Sequence, residues 1–154
     1  MTPAVRVLKD AGVAFSEHPY RYVERGGTAV FAAESGVDEH AVIKTLVMED
    51  DAKRPFVVLM HGDREASTRE MARVLGVKTV RPCAPETAQR QSGYMVGGTT
   101  PFGLRNPMPV YVEETILALP KICINGGKRG FLVGLDPKDL ARVLGPIPVR
   151  VAVI

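Results

Sequence analysis

The sequence predicts an α+β domain in which short helices surround a curled, barrel-like mixed β-sheet. Runs with strand character outnumber helical ones, and the two kinds of segment are interspersed without the regular alternation of a doubly wound sheet. The length of 154 residues, with 45% apolar and 24% charged residues, fits one domain spanning 1–154, and no interior linker or low-complexity stretch divides it. With 15 glycines and 12 prolines, loops should be numerous but ordered.

In chain order, Thr2 can cap a helix that carries Pro3 in its first turn, presents Val5, Leu8 and Ala11 on one face and stops at Gly12. Val13 to His18 follows as a strand, and Ala29 to Ser35 as a helical piece. Val42 to Met48 and Phe56 to Met60 are apolar enough for buried strands. Ser67 and Glu70 have capping-box spacing ahead of Met71, Val74 and Leu75, with Gly76 as terminator. Val77 to Val80 reads as a strand, Glu86 to Arg90 as a helical piece and Val110 to Glu113 as a strand. Lys121 to Asn125 and Phe131 to Leu135 form a hairpin joined through Gly126-Gly127-Lys128-Arg129-Gly130. Asp136-Pro137 starts a last helix, with Leu140, Val143 and Leu144 on one face and Gly145 after it, and Val149 to Val153 is the final strand. The segments MARVLG and LARVLG share a helical pattern but no flanking similarity, so they do not mark a duplication.

Composition restricts the function classes. No apolar run is long enough to span a bilayer and no basic leader precedes one, which predicts a soluble, cytoplasmic protein without a membrane partner. Cys83 and Cys123 fit no CxxC pattern, and the expected compartment disfavours pairing them, so both read as packing residues. A net charge of +3 is compatible with a polyanionic partner without identifying one. The three histidines, His18, His40 and His61, lack metal-ligand spacing, and no serine sits in a nucleophile elbow. Neither a metal nor a cofactor is expected.

Three segments stand out against this background. Lys44 interrupts an apolar strand on the face shared by Val42, Leu46 and Met48, where an ammonium must snorkel from an edge strand, pair, or meet an anionic ligand. Gly97 and Gly98, followed by Thr99-Thr100-Pro101, make an irregular turn that is either ordinary or aims backbone amides into a cleft. The Gly126 to Gly130 connection offers Lys128 and Arg129 either to a phosphate or simply to water.

Taken in order, TPAVRVLKDAGVAFSEHPY, AVIKTLV, GYMVGGTTPFG, INGGKRG and DPKDLARVLG resemble the YbaK family of aminoacyl-tRNA deacylases, related to the editing domain of bacterial prolyl-tRNA synthetases. The resemblance covers nearly the whole chain. It implies hydrolysis of a mischarged amino acid, typically cysteine, from tRNA(Pro), with the acceptor end of that tRNA as partner. It assigns Lys44 to the terminal nucleotide and ester, Gly97 and Gly98 to the ester carbonyl through their amides, Tyr20 to the pocket lining, and Thr45, which follows the lysine as in the family, to substrate binding. Thr99, Thr100, Pro101, Asn125, Gly126, Lys128 and Arg129 complete the implied substrate-binding set. Cysteine-specific relatives have serine where this chain has Asn125, which opens the amino-acid specificity. The missing nucleophile is then the thiol of the substrate, which attacks its own ester and leaves as a thiolactone. Two alternatives accompany this reading: deacylation of Ala-tRNA(Pro), and a non-catalytic module that binds an acceptor end or nucleotide. Association with prolyl-tRNA synthetase would supply the tRNA identity that so modest a charge does not.

Overall fold

A computed structural model describes residues 1–153. In chain order the elements are α1 (Pro3–Asp10), β1 (Ser16–Pro19), α2 (Gly27–Ser35), a 3-10 turn (Glu39–Ala41), β2 (Val42–Asp50), β3 (Pro55–His61), β4 (Glu65–Ala66), α3 (Thr68–Leu75), β5 (Val80–Pro82) and α4 (Pro85–Ser92). There follow β6 (Val110–Glu113), a second 3-10 turn (Glu114–Ala118), β7 (Ile122–Lys128), β8 (Phe131–Leu135), α5 (Pro137–Leu144), β9 (Ile147–Val149) and β10 (Ala152–Val153).

The helix starts follow from local chemistry. Thr2 Oγ1 accepts from the Val5 amide at 3.1 Å, Ser67 Oγ from Glu70 at 3.1 Å and the Asp136 carboxylate from Lys138 at 2.9 Å, each satisfying a donor the helix itself leaves free. Gly76 and Gly145 close α3 and α5 in the left-handed conformation. The final strand expected over Val149 to Val153 is instead two, because Glu113 Oε1 takes the Val151 amide at 2.7 Å and the Ala152 amide at 3.1 Å and bends the chain between them. β10 then pairs with β4, an element too short to leave a periodic signal.

The main sheet is mixed, in the order β1-β8-β7-β2-β3-β6-β9, with β5 added alongside β2. β1 and β9 lie at its opposite ends and do not pair, so the sheet is open and the expected barrel-like closure is absent. Period two divides β3 between two cores. Val57 and Leu59 pack with Leu8, Ile124, Val133 and Leu140, while Phe56, Val58 and Met60 pack with Met71 and Val149. β2 thereby lies inside the sheet, with β3 along one side. Its other side is shared. β7 pairs in parallel only at Val42 and Ile43, and β5 pairs only from Met48 onward. This fork creates the gap that the rest of the molecule surrounds.

Among the described residues, no helix is long and apolar enough to cross a membrane.

Candidate active site

A cleft of about 800 Å³ occupies the fork. Its floor is β2, and its walls come from the residues after β1, the start of α2, β4, the end of β5, the Tyr94–Thr99 loop and the β7–β8 hairpin. The Gly62 amide donates to Val42 O at 2.7 Å and the Asp50 amide to Arg54 O at 3.1 Å, so even-numbered residues of β2 turn their main-chain groups toward β3. Odd-numbered residues therefore turn theirs toward the fork. Val47 O is met there by the Cys83 amide at 3.0 Å, and Ile43 lies in the pairing with β7. Thr45 lies between them. Among the described residues its N–H and C=O have no partner, and its buried Oγ1 also lacks one. Buried polar groups are normally paired, so the unpartnered hydroxyl beside an unpaired strand edge makes Thr45 a candidate ligand contact.

Lys44 reaches into the same cleft, with its side chain 21% exposed and Nζ 3.4 Å from Glu65 Oε1. The Glu65 side chain is 83% exposed, so this is a screened pair at the mouth of the cleft and not a buried one. Tyr20 lines the wall with its ring edge-on to Phe31, centroids 5.3 Å apart, and burial raises its hydroxyl pKa above the ordinary value.

The glycine loop divides the roles expected of it. Gly97 lines the cleft in the left-handed region, φ 86°, and among the described residues its amide has no acceptor within the chain. A Cβ there would lie 2.6 Å from the Tyr22 hydroxyl oxygen. Gly98 is different. Its amide already donates to Met95 O at 2.9 Å, and a Cβ would stand 2.9 Å from Lys128 Cα and 3.0 Å from Arg129 N. As placed, Gly98 lets the loop pack against the hairpin, and the expected role of its amide at an ester carbonyl is corrected to that. Thr99 lines the cleft, but Thr100 and Pro101 are buried away from it, Thr100 with an unpartnered Oγ1.

The hairpin divides likewise. Asn125 lines the cleft yet spends its amide on the protein: Nδ2 donates to Gly97 O at 3.1 Å, and Oδ1 accepts from Gly127 N at 2.6 Å and Lys128 N at 3.1 Å. It clamps the glycine loop to the hairpin, a reach that a serine hydroxyl would not have. Gly126 is buried beneath Phe131, and Lys128 lies on the other side of the hairpin with Nζ 5.1 Å from the Phe131 ring centroid, so neither lines the cleft. Arg129 does line it.

No histidine lines the cleft. His61 is buried, stacked on His40 at 3.7 Å, with Nδ1 2.6 Å from His40 O and Nε2 2.6 Å from Thr115 Oγ1. Because a carbonyl can only accept, Nδ1 carries the proton and Nε2 accepts from the threonine hydroxyl, so the ring is satisfied while neutral. Cys83, expected as a packing residue, lines the cleft, but burial and a hydrogen bond to Glu49 push its thiol up to about 11. It is therefore protonated at neutral pH and a poor nucleophile. Among the described residues no cluster of three His, Cys, Asp or Glu side chains is arranged to hold a metal.

Sequence reasoning missed Tyr22 and Glu65. Tyr22 follows Tyr20 at the two-residue spacing that puts side chains on one face of an extended segment, a usable signal. Glu65 gave none, since it reaches Lys44 only through the pairing of β4 with the C-terminal strand.

The profile of the aminoacyl-tRNA editing domain family matches residues 26–143. EbsC of Enterococcus faecalis, whose name provisionally assigns it Cys-tRNA(Pro)/Cys-tRNA(Cys) deacylase activity, is 28% identical over 140 residues, which are 90% of this chain and 85% of that protein. A proline–tRNA ligase of Desulforamulus reducens is 29% identical over 104 residues, 67% of this chain but 18% of the ligase. A crystal structure described as that of a provisional trans-editing enzyme for prolyl-tRNA synthetase covers 100% of this chain and 99% of its own, with TM-score 0.83 and 22% identity, a likeness of fold.

Proposed function

Because the chain belongs to the aminoacyl-tRNA editing domain family, we propose that it is a free-standing editing enzyme that deacylates mischarged tRNA(Pro), with the cysteinyl ester as its principal substrate. The observation that carries this reading is a cleft holding an ammonium, a free loop amide and an unpaired strand edge, yet no histidine and no ionised thiol. Such a site positions an ester without attacking it.

The substrate then supplies the nucleophile. Its thiol sulfur attacks the ester carbonyl carbon, the C–S bond forms as the bond to the ribose oxygen breaks, and the thiol proton passes to that oxygen. The products are tRNA with a free hydroxyl and the thiolactone, which opens in water to cysteine. Intramolecular attack in a held geometry gains effective molarities on the order of 10⁵ to 10⁸ M. In this reading the free Gly97 amide donates to the developing oxyanion, a role worth about 3 kcal/mol per donor. Lys44 contributes positive charge beside the ester and the terminal phosphate. Tyr20 and Thr45 border the amino-acid side chain. A net charge of +3 supports only weak reading of the tRNA body, which favours delivery through prolyl-tRNA synthetase.

Glu65 favours a second reading, deacylation of Ala-tRNA(Pro), because its carboxylate beside Lys44 is placed to activate a water. The purified protein incubated with tRNA(Pro) charged separately with cysteine, serine, alanine and proline separates the readings. Rapid loss of the cysteinyl ester, slow loss of the seryl ester and thiolactone detected by mass support the thiol mechanism. Comparable rates on cysteine and alanine support water activation. Binding without any turnover would mean a non-catalytic module.

A further inference from the structure

Arg129 is held in a way its charge does not explain. Among the described residues it forms no ion pair, yet its Nε donates to Val96 O at 2.8 Å and its guanidinium carbon lies 5.1 Å from the centroid of the Tyr22 ring. Tyr22 packs its hydroxyl end against Gly97 so closely that a Cβ there would not fit. An exposed arginine usually retains rotamer freedom, about 2 kcal/mol of it. Here a backbone carbonyl and an aromatic ring restrain the guanidinium at the rim of the cleft and leave it exposed. Beside it Met95 and Val96 are about half exposed, at 48% and 49%, although both are apolar.

A flat, oriented cation backed by an aromatic ring and flanked by apolar side chains suits the face of an unpaired nucleobase, since single-stranded ends are recognised by stacking on aromatic rings and guanidinium planes. A phosphate would have only the edge formed by the two terminal nitrogens, because Nε is committed to Val96, and it would use neither the aromatic backing nor the apolar flank. We propose that Arg129, seated on Tyr22, is the stacking platform for the 3′-terminal nucleobase of the substrate RNA, while Lys44 and Gly97 hold the ester next to it. This rests on the acceptor-end reading above. Tyr22 is a positioning residue in this arrangement, and Arg129 touches the base.

The test uses an uncharged acceptor-stem minihelix of tRNA(Pro) carrying 2-aminopurine as its 3′-terminal base and a fluorophore at its 5′ end. Polarisation of the 5′ label reports binding, and 2-aminopurine emission reports stacking. The parent protein should quench the emission on binding. Arg129→Lys keeps the charge and removes the plane, so it should abolish the quench and weaken binding about 5- to 150-fold, the range for losing one stacked base. Tyr22→Phe should retain the quench, and Tyr22→Leu should lose it. Binding without a quench, or a quench and affinity unchanged in Arg129→Lys, overturns the platform and leaves the acceptor-end reading standing. No binding of the minihelix by the parent overturns both.

Discussion

Replacing Lys44 by Met removes the ammonium while keeping a flexible apolar stem of similar length in the cleft. The stability cost follows from the one ion pair lost. At 3.4 Å, two unit charges attract by about 1.2 kcal/mol in water, and exposed pairs retain about 0.2–1 kcal/mol once side-chain entropy and screening are counted. Glu65 is 83% exposed, which puts this pair at the low end, so the melting temperature should move by less than about 3 °C. The activity cost is of a different size. If the ammonium stabilises charge developing at the ester, its loss should lower single-turnover deacylation of Cys-tRNA(Pro) about 10²- to 10³-fold, the effect of deleting one preorganised electrostatic group. Differential scanning fluorimetry and acid-precipitable counts on the same preparation read both quantities. A variant that deacylates within about threefold of the parent would remove Lys44 from the site. A melting temperature lower by 10 °C or more would show that the lysine is structural.

Four further outcomes are expected. Glu65→Gln should leave cysteinyl deacylation within a few-fold of the parent and stability within about 1 kcal/mol; loss of an alanyl activity in that variant would identify the carboxylate as a base. Gly98→Ala should cost about 1–3 kcal/mol, seen as a lower melting temperature, because its Cβ meets the hairpin backbone at 2.9 Å; an unchanged melt would refute the packing role. The Cys83→Ser/Cys123→Ser double variant should retain deacylation, since burial raises both thiols, Cys83 to about 11, and a trapped aminoacyl-thioester would refute substrate-assisted attack. Burial holds His61 below its ordinary 6.5, so the unfolded chain binds that proton more readily and stability should fall as pH drops from about 6.5 toward the depressed value. Chemical denaturation across that window should show the slope in the parent and lose it in His61→Gln, and a slope kept in the variant would assign it elsewhere.

Much of the fold was legible because its determinants are local. The caps at Thr2, Ser67 and Asp136 and the apolar runs of β2 and β3 specify their own conformations from adjacent residues. The open edges of the sheet were not legible, since whether β1 and β9 meet depends on strand order and twist, which no local pattern encodes. The same distinction applies within the site. Lys44 announced itself as a charge in an apolar run, and Gly97 as half of a glycine pair, but the neighbouring Gly98, Thr100 and Gly126 look equally functional in sequence and turn out to serve packing.

The deepest reason lies at Thr45. In sequence it is an ordinary β-branched residue at an inward position of a central strand, and every central strand satisfies its main chain through two neighbours. The structure gives β2 one complete neighbour and two partial ones, with β7 leaving after Ile43 and β5 arriving at Met48. The unpaired interval is therefore set by where two other strands end, residues about 35 and 80 positions further along the chain. Closing it with β7 would satisfy Thr45 and eliminate the cleft. Leaving it open withholds sheet partners from the Thr45 amide and carbonyl, which line the cleft in a partly buried residue, and leaves the buried Oγ1 without a partner, at about 1–3 kcal/mol for such a buried group in a domain whose total stability is about 5–15 kcal/mol. A group that supplies those partners gains binding energy that the folded chain has forgone. The α-ammonium of an aminoacyl ester is such a donor for the Thr45 carbonyl, so a substrate lacking its α-amine, 3-mercaptopropionyl-tRNA(Pro), should bind more weakly than the cysteinyl ester even though its thiol is intact. Equal KM values for the two would mean that the edge of β2 is satisfied by water and plays no part in recognition.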